Sequence, residues 1–104
     1  MLFFVKVRID VAQMVEMGRR LADGRLDRSH LRSTYCHAAD PEVGLNSWEA
    51  DDATDLRRHL APHRAFYREV LEITPVVTAP EAMQLLLGDA AAAARVDATP
   101  PSSR

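Results

Sequence analysis

Cysteine, lysine and tryptophan are each used once in this chain, as Cys36, Lys6 and Trp48, and glycine only four times. A single cysteine excludes an internal disulfide framework and fits a reducing compartment. There is no glycine-rich phosphate loop, no nucleophile elbow and no paired-cysteine metal motif, which disfavours nucleotide-dependent chemistry. No run approaches the ~20 apolar residues of a membrane span. The opening Met1-Leu2-Phe3-Phe4-Val5-Lys6-Val7-Arg8 is too short for a secretory core, lacks a basic start and is interrupted by Lys6 and Arg8. The formal charge of -2 comes from interspersed acids and bases, so there is no electrostatic footprint for nucleic acid. The expectation is a soluble, cytoplasmic protein without a nucleic-acid or membrane partner.

What is present describes one small domain. At 104 residues it buries about 60–70% of its unfolded surface, enough to fold alone but with much to gain from pairing. Leu2 to Ile9 alternates: Phe3, Val5, Val7 and Ile9 face one way, Leu2, Phe4, Lys6 and Arg8 the other. Asp10 and Gln13 stand in capping-box positions before a helix with Val11, Met14, Val15, Gly18, Leu21 and Ala22 at helical spacing, closed by Gly24. Arg32 to Ala38 and Val43 to Ala50 read as a hairpin around Asp40-Pro41-Glu42. Asp51 or Asp52 starts a second helix burying Ala53, Leu56 and Leu60, with a further helical piece from Pro62 to Arg68. Val70 to Val77 is a fourth strand, marked by Pro75 as an edge or a bulge. Thr78 to Glu81 is a capping box opening a short helix through Leu87. Residues 1–88 are therefore expected to form the domain and 89–104 a flexible tail.

This order is that of an α+β, ferredoxin-like βαββαβ domain with a short C-terminal helix. Two helices cover one sheet face and leave the other, with Leu2 and Phe4, open. Such a face is an association surface, and a two-fold homodimer is the simplest way to cover it.

Met1 to Val7, the strand end Ser47-Trp48-Glu49, Leu60-Ala61-Pro62 and Leu71-Glu72-Ile73 give the chain, over about residues 1–88, a resemblance to the dimeric α+β barrel superfamily. Within it the chain is most similar to muconolactone isomerase-like proteins. The resemblance implies sheet-to-sheet pairing. It also implies a small cofactor-independent isomerase or cyclase that acts by proton transfer on a hydrophobic carbonyl or lactone substrate. The superfamily also holds cofactor-free monooxygenases, and a non-catalytic dimeric ligand-binding or stress-associated module is a further alternative.

The chemistry-bearing residues are Arg8, Tyr35, His37, Asn46, Trp48, Glu49, His59, His63 and Tyr67. His37 or Glu49 is the candidate base, Tyr35 and Asn46 the oxyanion donors and Arg8 the charge partner of a substrate. Trp48, His63 and Tyr67 are candidates to shape the pocket. Strand parity places Asn46 and Trp48 on one face and Ser47 and Glu49 on the other, so Trp48 and Glu49 cannot line one pocket from a regular strand. His59 and His63 have the i, i+4 spacing of paired metal ligands, but Pro62 interrupts the helix and no third ligand is evident, so neither a metal nor a cofactor is expected. Cys36 alternates away from Tyr35 and His37 and reads as a small buried hydrophobe.

Overall fold

The alternation of the first strand is realised as β1, Leu2–Ile9, in the computed structural model, which describes residues 1–97. Phe3, Val5 and Val7 are fully buried, while Leu2, Phe4, Lys6 and Arg8 are half-buried on the opposite face. The chain continues through α1 (Met14–Ala22), β2 (Leu31–Cys36), β3 (Val43–Glu49), α2 (Ala53–Leu60), β4 (Tyr67–Val76) and α3 (Ala79–Asp97). The four strands form one antiparallel sheet in the order β2-β3-β1-β4. The fold is α+β with an open sheet, compatible with the ferredoxin-like arrangement.

Register fixes what each face carries. Opposite Phe3, Val5 and Val7 on β1 stand Trp48, Asn46 and Gly44 on β3. Leu56 and Leu60 of α2 close over this face, forming one core with Phe3, Val5, Val7, Trp48 and Ala50. Gly44 is where Val7 needs room: a Cβ there would lie 3.0 Å from Val7 Cγ2. β4 is an edge strand with two register shifts against β1, as Pro75 suggests.

Helix ends follow their local chemistry. The Asp52 carboxylate accepts the Asp55 N–H at 2.7 Å and caps α2. Gly24, with φ of 70°, takes the left-handed position that stops α1. The Thr78 hydroxyl accepts the Glu81 N–H at 3.3 Å and donates to the Glu81 carboxylate at 2.9 Å, which caps the start of α3.

Four expectations need correction. Residues 11–13 wind as a tight 3₁₀ turn before α1. That turn changes the helical phase, so α1 meets the domain through half-buried Glu16, Met17, Arg20 and Leu21 and exposes Val11, Met14 and Val15. Ala53 is exposed in the first turn of α2. Cys36 is also exposed, because it ends an edge strand beyond the reach of α2. Finally, α3 does not end at Leu87 but passes Gly88 without a break and runs to Asp97. The last part of the expected tail lies outside the described residues.

Candidate functional site

The open sheet face carries Ser33 and Tyr35 from β2, Val43, Leu45, Ser47 and Glu49 from β3, and Leu2, Phe4, Lys6 and Arg8 from β1. Glu69, Glu72, Thr74 and Val76 stand beside them on β4. At the Leu2–Glu49 end of this face lies an open depression of about 850 Å³. Leu2, Pro75, Val76 and Val77 supply its apolar lining, and Arg32, Ser47, Glu49, Thr78 and Glu81 its polar groups. Its size suits a small organic ligand, and an apolar wall with a few convergent polar groups is the usual composition of such a site.

Glu49 is placed there by strand parity. It ends β3 facing away from the core, opposite Leu2, and its backbone N–H donates to the His30 carbonyl at 2.8 Å. The Met1 ammonium lies 3.4 Å from one carboxylate oxygen. With both partners about half exposed, this pair is weak and leaves the carboxylate accessible. Ser47, on the same face, shares a 2.5 Å hydroxyl–hydroxyl contact with Ser33 of β2.

Of the other residues expected at the site, Arg8 and Tyr35 share the open face but not this end of it. Arg8 lies opposite Val43 and is paired with Asp40 at 3.2 Å and Glu42 at 3.5 Å in the hairpin turn. Tyr35, opposite Leu45, is 69% exposed at the sheet edge. His37 lies beyond the end of β2, where its Nδ1 accepts the Ala39 N–H at 3.0 Å and its own N–H donates to the Val43 carbonyl. The seven residues of β3 span about 20 Å, so His37 and Arg8 are far from Glu49 within one chain.

The remaining candidates are on the covered side of the sheet. Asn46 is buried and accepts the Thr34 hydroxyl at 2.6 Å, so its carbonyl oxygen is already engaged. Trp48 is 1% exposed, and its indole Nε1 is buried without a hydrogen-bond partner among the described residues. His63 is buried edge-to-face against Trp48, with ring centroids 4.9 Å apart, and its Nε2–H donates to the Asp27 carbonyl at 2.8 Å. Burial pushes the His63 pKa down and holds the ring neutral. Tyr67 is half-buried at the start of β4, and burial raises its hydroxyl pKa to about 12. None of these four faces the depression.

A second polar cluster joins α2 to the loop before β2. Asp55 accepts the Asp51 N–H at 2.9 Å and contacts Arg58 and His59 Nε2, the latter at 3.2 Å. The Asp51 N–H bond, then the contacts with His59 and Arg58, hold its carboxyl below the usual range. The His59 ring stacks on His30 with centroids 3.7 Å apart. These contacts clamp residues 27–30 onto α2, and the cluster therefore organises the covered side of the domain. Nε2 of His59 and Nε2 of His63, the i, i+4 pair, are thus engaged by Asp55 and the Asp27 carbonyl. Among the described residues no three His, Cys, Asp or Glu side chains are arranged to hold a metal ion.

Sequence reasoning identified Glu49 and missed Arg32, Thr78, Glu81 and the apolar residues 75–77. Thr78 and Glu81 stood out only as a capping box, and a helix-start motif does not reveal that the helix begins beside a cavity. Comparisons with family models, curated proteins and solved structures return no match.

Proposed function

We propose that the protein acts on a small hydrophobic carbonyl or lactone compound held in the depression, as a cofactor-independent isomerase or cyclase working by proton transfer. Two copies pairing through their open sheet faces complete the site. The observation that carries this reading is the position of Glu49: an accessible carboxylate at the edge of an apolar wall, with Arg32 among the same lining residues.

A carboxylate so placed can take a proton alpha to a carbonyl and return it at another carbon, giving isomerisation; where the enolate carbon instead attacks a second carbonyl of the same substrate, the ring closes and the proton is returned to the new alkoxide. Arg32 is the cation available to the developing enolate oxygen, and Ser47 and Thr78 supply hydroxyl groups. The apolar residues at 75–77 favour a substrate with a hydrocarbon or lactone body. Arg8, Tyr35 and His37 are assigned no step in this chemistry, because they lie toward the other end of the face.

A non-catalytic ligand-binding module is the second reading, favoured by the apolar share of the lining. A cofactor-free monooxygenase needs Trp48 and Asn46 beside the substrate, and both are buried on the covered face.

Proton exchange separates the two readings. The protein, incubated in deuterated water with a panel of small lactones and cyclic ketones, is expected to catalyse deuterium incorporation alpha to the carbonyl of at least one of them by NMR. Glu49→Gln is expected to lower that rate about a hundredfold or more. Binding without exchange would leave only the ligand-binding module, and exchange unaffected by the substitution would remove Glu49 as the base.

A further inference from the structure

We infer that α3 is an exchanged arm that covers the depression of a second copy of this chain. The inference rests on the sheet-to-sheet pairing proposed above and specifies what closes the site.

The composition of α3 requires that something cover it. From Ala82 to Ala94 only Gln84 and Asp89 carry polar side chains. Leu85 and Leu86 are 73% and 75% exposed, and Met83 and Leu87 about half exposed. These residues lie around most of the helix, and a helix that is apolar on several sides is ordinarily buried. Among the described residues, no other element packs extensively against it. The radius of gyration is 19.0 Å, against about 13 Å for a compact chain of this length. No described helix is long and apolar enough to cross a membrane.

Two observations point to a second copy. The first is continuity: Val76, Val77, Thr78 and Glu81 line the depression, so α3 springs from its rim. In a two-fold pairing each contact is made twice, so an arm leaving one copy's rim at the interface meets the other copy's rim. The second is area. A four-stranded face with strands of about eight residues covers only roughly 500 Å², whereas a stable interface occupies about 800 Å² on each partner. A helix of 19 residues is about 28 Å long and about 10 Å wide, adding roughly 280 Å² and closing the deficit. Leu85, Leu86 and Leu87 of one copy then lie over Leu2, Val76 and Val77 of its partner, and the open depression becomes an enclosed one.

Cross-linking between different variants tests the exchange, since only contact between copies can join them. In a Cys36→Ser background, chains carrying Leu86→Cys are mixed with chains carrying Val77→Cys and treated with a short bismaleimide. The expected product is a dimer of mixed mass, at least tenfold above that formed when Val77→Cys is replaced by Arg57→Cys on exposed α2. A yield no higher than this control overturns the exchange. Sedimentation of the same untreated mixtures separates the causes. A dimer without the cross-link leaves sheet pairing standing and rejects the arm, while a monomer rejects both. A monomer that floats with phosphatidylcholine–phosphatidylglycerol vesicles likewise rejects the exchange and assigns α3 to lipid.

Discussion

Neighbouring residues Trp48 and Glu49 do different work because one peptide unit turns a side chain from one sheet face to the other. Trp48 is core: it is fully buried between β1 and α2 and packed edge-to-face on His63. Trp48→Ala is expected to cost about 3–5 kcal/mol in a urea titration followed by circular dichroism. His63 and Tyr67 make stability depend on pH at opposite ends of the scale. The folded-state pKa of His63 is depressed, so the unfolded chain binds its proton first. Its contribution is complete above about pH 6.5 and declines as the pH falls toward the folded value. His63→Gln is expected to flatten the pH dependence of the urea midpoint in that range. The pKa of Tyr67 is raised from 10.0 to about 12, so stability falls as the pH rises between those values. Removing this ionisation with Tyr67→Phe is expected to abolish an alkaline loss of up to about 2 kcal/mol, measured by unfolding at pH 9 and about pH 11.5.

The elements differ in how plainly the sequence announces them. β1 and β3 were legible because period-2 alternation is stated outright by Phe3, Val5 and Val7 and by Asn46 and Trp48, and burial follows that alternation. Asp52, Thr78 and Gly24 were legible because each acts through a bond or dihedral of its own backbone neighbourhood. The seating of α1 was not, since it depends on the 3₁₀ turn at residues 11–13 and on the Arg20 guanidinium lying over the Phe66 ring at 5.2 Å. The length of α3 was also obscured: a single glycine costs a helix only about 1 kcal/mol, which the five alanines from Ala90 to Ala94 outweigh. For the site, parity put Trp48 and Glu49 on opposite faces without saying which face is open, and that choice, like the placement of Arg32 and residues 75–78, required the register of three strands. At this scale the sharpest expectation concerns the α2 cap. Asp52→Ala is expected to destabilise the fold by about 1 kcal/mol in the same urea titration, with α2 otherwise retained.

At the scale of the whole molecule, the proposed pairing completes one chain with a second copy. One sheet face is packed by α2, the other carries Leu2, Phe4, Leu45 and Val76 with no covering element among the described residues, and Leu85, Leu86 and Leu87 of α3 are exposed. Burial of such surfaces at about 25 cal/mol per Å² would favour association, and a two-fold pairing is the arrangement proposed for it. Both the enclosed site and the chemistry assigned to Glu49 depend on that pairing. Sedimentation equilibrium tests it most directly. The account predicts twice the chain mass of 11.6 kDa at micromolar concentration, and a monomer for Phe4→Glu, which sets a charge at the centre of the open face. A wild-type protein that sediments as a monomer throughout, or a dimer that Phe4→Glu leaves intact, would contradict it.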